Sequence, residues 1–129
     1  MIGIILYILF IHFVADFIMQ TDEQAKGKST CNYWLTMHIL SYGKTMLFSG
    51  VFYVLIMFLY GINLFHLIPL LIGYVTLNMG LHWVTDYFTS RQTKKLWEAK
   101  KVHHFFVMIG FDQFIHSVCL IGTYWLLFL

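Results

Sequence analysis

The sequence predicts an all-α polytopic membrane protein: four transmembrane helices in an antiparallel bundle, with the N and C termini non-cytoplasmic. Three observations carry this reading. Hydrophobic residues make up 60% of the 129-residue chain and charged residues only 11%, against about 25% charged in an ordinary soluble domain. Four apolar stretches, each close to or above the roughly 20 residues a bilayer crossing needs, alternate with short polar connections. Seven of the eight Lys and Arg residues fall in the first and third connections, which alternation puts on one side; the positive-inside rule makes that side cytoplasmic. The same composition excludes a soluble enzyme, a disordered chain, a disulfide-stapled miniprotein and a nucleic-acid module.

The first span covers residues 2–20 and is apolar apart from His12, Asp16 and the closing Gln20. It has no basic start, and His12 and Asp16 would interrupt the apolar region of a secretory signal, so it is expected to stay in the mature protein. Residues 21–32 carry Asp22, Glu23, Lys26, Lys28 and a glycine, the composition of a solvated connection. The second span, 33–60, has a polar first half (His38, Ser41, Tyr42, Lys44, Thr45) and an apolar second half. Gly61, Ile62 and Asn63 leave room only for an antiparallel return into the third span, 64–88, which holds Pro69 early, where a helix tolerates it best. Residues 89–101 form the main charged connection, with a spacing that suits a short amphipathic surface helix holding Leu96 and Trp97 at headgroup level. The fourth span covers 102–129. The whole chain reads as a single membrane domain, and Cys31 and Cys119 are not expected to pair.

Ionisable residues inside these spans are the functional signal. His12, Asp16 and Gln20 follow one another at steps of four, as do Asn78, His82 and Asp86, Asp112 and His116, and His38 and Tyr42. Steps of four stack side chains on one helix face. With alternating directions, all four rows reach one level near the cytoplasmic side. An Asp facing hydrocarbon costs about 2.5 to 3.5 kcal/mol, so Asp16, Asp86 and Asp112 are expected to face inward. Inward carboxylates repel one another unless a cation intervenes. Lys44 can offset one, protonated histidines can offset more, and a divalent metal can offset two while taking neutral imidazoles as ligands.

His12, Asp16, His38, His82, Asp86, Asp112 and His116 are therefore the candidate ligands of one or two ions. Mixed His and carboxylate donors suit zinc first, then manganese or iron. Gln20, Tyr42, Lys44, Asn78 and Gln113 are candidates for orienting the ligands, and Asp16 and Asp112 for a catalytic general base. Arg91, Lys94, Lys95, Lys100 and Lys101 lie beside the rows and can hold an anionic headgroup. The bland reading is that single polar residues serve as interhelical glue. His66 reads as interfacial, His103 and His104 as headgroup-level residues or ligands, and Gly73 and Gly80 as points of close helix approach.

The pattern His12-x3-Asp16-Phe17-x2-Gln20, His38, His82-x3-Asp86 and Asp112-Gln113-x2-His116 resembles a family of small bacterial and phage integral membrane proteins of unknown function, over nearly the whole chain. In that family a Lys often follows the third-helix Asp by three positions, where this chain has Thr89. More loosely, the motifs resemble those of membrane-bound metal-dependent hydrolases induced in the DNA-damage response. The resemblance implies a bacterial inner-membrane location; neither likeness brings an established reaction.

Three functions fit the sequence. One is a metal-dependent hydrolase of a lipid, an isoprenoid phosphate or another amphiphilic phosphoester at the cytoplasmic leaflet. The second is a proton or cation pathway, with homo-oligomerisation an open possibility. The third is a small protein that binds and modulates a host membrane partner. The bilayer is the expected partner in all three, and nucleic acid in none.

Overall fold

The computed structural model describes residues Ile2–Phe128, all of them in helices or short connections. Helix α1 spans Ile2–Phe13 and runs directly into a π-helical turn, Val14–Ile18. A short α2, Asp22–Gly27, follows; then α3, Asn32–Leu59, α4, Leu64–Glu98, and α5, Val102–Phe128. Helices α3, α4 and α5 are long and apolar enough to cross a membrane, and Ile2–Ile18 is a shorter apolar helix.

The connections follow from local chemistry. Thr21 and Gln24 close a capping box that starts α2: the Gln24 N–H donates to Thr21 Oγ1 at 3.3 Å and the Thr21 N–H to Gln24 Oε1 at 3.1 Å. The Gln24 amide also donates to the Met37 carbonyl (3.3 Å) and to Ser41 Oγ (3.1 Å), docking α2 on α3. Gly61, at φ 85°, turns the chain between α3 and α4, and Asn63 caps α4 by accepting from the Phe65 N–H at 2.9 Å.

The charged segment expected as a separate surface helix is instead the last part of α4. No Gly or Pro interrupts residues 89–98, and the Ser90 and Thr93 hydroxyls satisfy the carbonyls of Asp86 and Thr89 four residues back. Thirty-five residues make a helix of about 52 Å, which overshoots a hydrocarbon core of about 30 Å. The helix stops only where Lys100 takes a left-handed φ of 56° and the Lys101 N–H bonds back to Leu96.

Around the bundle, α1 packs on α3 and α5, and α4 packs on the same two, which leaves α1 and α4 diagonally opposite. The burial pattern is the reverse of a water-soluble bundle. His12, Asp16, His38, His82, Asp86 and His116 are buried, while Phe10, Phe48, Phe52, Phe106, Phe114 and Trp125 point outward. Outward apolar and inward ionisable side chains are the arrangement hydrocarbon solvent selects. Close helix approach occurs at Gly43, under Met79, and at Gly50, under Leu71. Gly73 and Gly80, expected in that role, face open space instead, because they point away from α3 and α5.

Candidate metal centre

Three helices each contribute an Asp and a His four residues apart, but not in the same order. Helices α1 and α4 read His then Asp (His12 and Asp16, His82 and Asp86), whereas α5 reads Asp then His (Asp112 and His116). Helix α5 follows α4 through a short turn and runs the opposite way, so the reversed order brings its Asp level with the other Asp residues and its His level with the other His residues. The centre is thus layered. Carboxylates lie toward the Lys-rich connections, and imidazoles lie one turn deeper, joined by His38 from α3.

In the middle, four donor atoms from three helices converge. His38 Nε2 is 3.3 Å from His82 Nε2, 3.1 Å from Asp16 Oδ1 and 3.5 Å from Asp86 Oδ2. His82 Nε2 is 3.4 Å from Asp16 Oδ1 and 3.6 Å from Asp86 Oδ2. A tetrahedral ion with bonds of about 2.0–2.1 Å sets its ligand atoms about 3.3 Å apart. The measured separations scatter around that value, so Asp16, His38, His82 and Asp86 can hold a metal ion. Oδ1 of Asp16 is buried and receives no hydrogen bond, as an oxygen awaiting a cation would be.

A second group, Asp16, Asp112 and His116, also meets the requirements for holding an ion. His116 Nε2 stands 3.2 Å from Asp86 Oδ1 and 3.4 Å from Asp112 Oδ1. The Gln113 amide ties the groups together, donating to Asp16 Oδ2 at 2.8 Å and to Asp112 Oδ2 at 3.1 Å, with its oxygen 3.2 Å from His12 Nε2. The Thr89 hydroxyl donates to Asp112 Oδ1. The rings are held by packing: His82 stacks on His116 with centroids 3.9 Å apart, and Tyr42 lies 4.3 Å from His82 on another side. Nδ1 of His12, His38 and His82 has no hydrogen-bond partner, so ring contacts rather than outer carboxylates set these orientations.

Lys28 supplies the cation of the site. Its Nζ lies 2.7 Å from Asp86 Oδ2 and 3.9 Å from Asp16 Oδ1. Its pKa is raised above the ordinary lysine value: burial works against the charge, and the Asp86 and Asp16 carboxylates outweigh it. Lys44, read from the sequence as the offsetting cation, is exposed on α3 outside the cluster. Lys28 is not legible in the sequence, since its partners are 12 and 58 residues away and its connection shows no periodicity. Thr89 was detectable one turn after Asp86.

The carboxylate layer opens into a cavity of about 570 Å³ between the first connection, α4 and α5. Asp16, Asp86 and Asp112 form its floor, with Lys26, Lys28 and Lys94 around it and Phe17, Trp97, Phe105 and Ile109 as an apolar wall. Gln20, past the π turn, lines it as well.

The remaining sequence-derived candidates lie elsewhere. His12 is buried beside the centre but belongs to neither donor group. Asn78 binds the Tyr74 carbonyl and Thr123 Oγ1 one turn deeper. Arg91 stacks on Tyr87 and donates to Asn32. Lys95, Lys100 and Lys101 are exposed at the end of α4 and do not line the cavity, and His66, His103 and His104 are exposed too.

No curated protein and no solved structure matches the chain. A family model described as a protein of unknown function, DUF3307, matches residues 4–129. The chain therefore belongs to the DUF3307 family.

Proposed function

We propose that this protein is an intramembrane metal-dependent hydrolase acting on a lipid or other amphiphilic phosphoester at the cytoplasmic leaflet of the bacterial inner membrane. The observation that carries the reading is the junction of a near-tetrahedral donor set with a cavity of two characters: carboxylates and lysines at one end, Phe17, Trp97, Phe105 and Ile109 at the other. In this reading Ile2–Ile18 is the fourth span, both termini lie outside the cytoplasm, and the connections bearing Lys26, Lys28 and Lys94 face the cytoplasm.

His38, His82, Asp16 and Asp86 hold the ion, with zinc the best match to a tetrahedral nitrogen and oxygen set. With four protein donors, a place for water or a phosphoryl oxygen would come from expansion to five ligands, and the ion would then lower the pKa of that water toward neutrality. Asp16 is occupied as a ligand, which leaves Asp112, half-buried at the cavity floor and oriented by Thr89 and Gln113, as the general base while the first position alone is filled. Lys28 pairs with phosphoryl oxygens, and the aromatic wall holds the apolar part of the substrate.

A cation pathway is supported less well. On the far side of the imidazole layer Ile8, Met46 and Leu71 line a cavity of only about 40 Å³, against the 570 Å³ cavity on the near side.

The test is phosphate release from phosphatidic acid or a polyprenyl phosphate by metal-loaded protein in proteoliposomes. Release that requires the metal and falls at least about 100-fold in Asp112→Asn supports the reading, since a positioned base contributes about 10² to 10⁴. Release from none of these lipids, or release indifferent to Asp112, contradicts it.

A further inference from the structure

The donor set is larger than one tetrahedral ion uses. Once His38, His82, Asp16 Oδ1 and Asp86 Oδ2 are assigned, His116 Nε2 remains, 3.2 Å from Asp86 Oδ1 and 3.4 Å from Asp112 Oδ1. Asp86 turns Oδ2 toward His38 and His82 and Oδ1 toward His116, while belonging to the first group alone. Asp16 is a member of both groups. Carboxylates shared in this way are how proteins hold two ions about 3.5–4 Å apart.

Charge decides when the second position fills. Ligand carboxylates are ionised and ligand imidazoles neutral. Asp16, Asp86 and Asp112 against Lys28 leave two negative charges, which one divalent ion cancels. A second divalent ion leaves two positive charges in a low-dielectric site, an arrangement that persists only with an anion beside it. Both groups reach the 570 Å³ cavity through carboxylates and none of His38, His82 and His116 lines it; Asp112, which belongs to the second group alone, lies at the cavity with the Gln113 amide beside it, where an anion can approach.

We infer that Asp112 and His116, with Asp16 as the shared carboxylate, form a second divalent-cation site that fills together with a phosphoryl group entering from the cavity. This rests on the metal centre of the proposed function, whose ion occupies the first position. The second ion and the phosphoryl anion bind as a linked pair, each raising the affinity of the other by the same factor. Lys28 and Lys94 flank the entry and contribute to the same anion.

The experiment is equilibrium dialysis of the detergent-purified full chain against Mn²⁺, with metal content and electron paramagnetic resonance as readouts. One arm adds inorganic phosphate, a second adds bicelles containing phosphatidic acid, and a third adds phosphatidylcholine bicelles. The expected result is about one ion per chain without anion and about two with a phosphoryl anion, the spectrum changing from that of an isolated ion to that of an exchange-coupled pair. An effect in both phosphoryl arms assigns the site to phosphoryl groups at large, and an effect of phosphatidic acid alone assigns it to a lipid headgroup. Asp112→Asn is expected to keep the first ion and lose the anion-dependent one. Metal content unmoved by either phosphoryl arm, at one ion or at two, overturns the inference while leaving the first site standing. No bound ion in any arm overturns the metal centre itself.

Discussion

The Lys28 ammonium stands 2.7 Å from Oδ2 of Asp86, the same oxygen that lies 3.5 Å from His38 Nε2 and 3.6 Å from His82 Nε2. One carboxylate oxygen thus faces both a resident cation and two nitrogens of the candidate donor set. Lys28 offsets the repulsion within the carboxylate layer, and on the proposed reading it is a placeholder for the ion. Removing one partner of a buried pair costs roughly 3 kcal/mol, because the other is left buried and uncompensated. Lys28→Met is therefore expected to lower the thermal stability of the metal-free protein by about that amount and that of the metal-loaded protein by much less. Equal losses in both forms, measured by unfolding in detergent, contradict the placeholder role.

The sign of the Lys28 contribution with pH follows from its raised pKa. Its stabilisation is fully present below the unfolded lysine value of about 10.4 and is lost only as pH rises through the higher folded value. Across the neutral range Lys28 stays charged, so it adds no pH dependence to ion binding there. Each ligand imidazole must give up its proton, and affinity is expected to fall by up to about tenfold per pH unit for each one that titrates. Titrating metal affinity between pH 8 and 5 in wild type and in Lys28→Met checks this. Parallel profiles are expected, and a profile flattened by the Lys28 change would contradict the assignment.

Ligand identity is separable from general histidine content. His38→Ala and His82→Ala are expected to weaken ion binding by more than about 100-fold, since even outer partners of ligands are worth about 10- to 100-fold. His66→Ala and His104→Ala, at exposed positions, are expected to leave it unchanged. Elemental analysis of the four variants reads this directly.

Gln113 touches Asp16, Asp112 and His12 at once. Gln113→Leu is expected to lower metal affinity about 10- to 100-fold without removing a ligand. Restoration by Gln113→Asn would show that the amide needs no fixed reach, and would contradict the bridging role.

Packing makes a separate prediction. A side chain added at Gly50 meets Leu71, and one added at Gly73 meets nothing within 4 Å. Gly50→Leu is expected to destabilise the bundle by about 1–3 kcal/mol, and Gly73→Leu to be near neutral. Thermal unfolding of the two variants compares them.

Much of this centre is legible in the sequence because helical periodicity is local. Steps of four in His12 and Asp16, His82 and Asp86, and Asp112 and His116 place each pair on one face whatever the partners are. Even the layering was there to be read, since a reversed Asp–His order on an oppositely directed helix means level Asp residues. What the sequence does not show is whatever depends on another element. The π turn at Val14–Ile18 holds Asp16 and ends the row before Gln20. Nothing in Val-Ala-Asp-Phe-Ile marks it. Lys28 reaches the site from a connection, and which glycines meet a neighbour depends on helix rotation. The continuity of α4 through Glu98 was obscured because a drop in hydropathy at Thr89 reads as an end, although hydropathy ends a membrane span and not a helix.

The central claim is that His38, His82, Asp16 and Asp86 surround one ion in the bundle. X-ray absorption of the zinc-loaded protein tests it most directly. Four nitrogen and oxygen ligands at about 2.0 Å, with outer scattering from two imidazoles that falls to one in His38→Ala, is the predicted result. A six-coordinate oxygen shell without imidazole scattering, unchanged by His38→Ala, would contradict it.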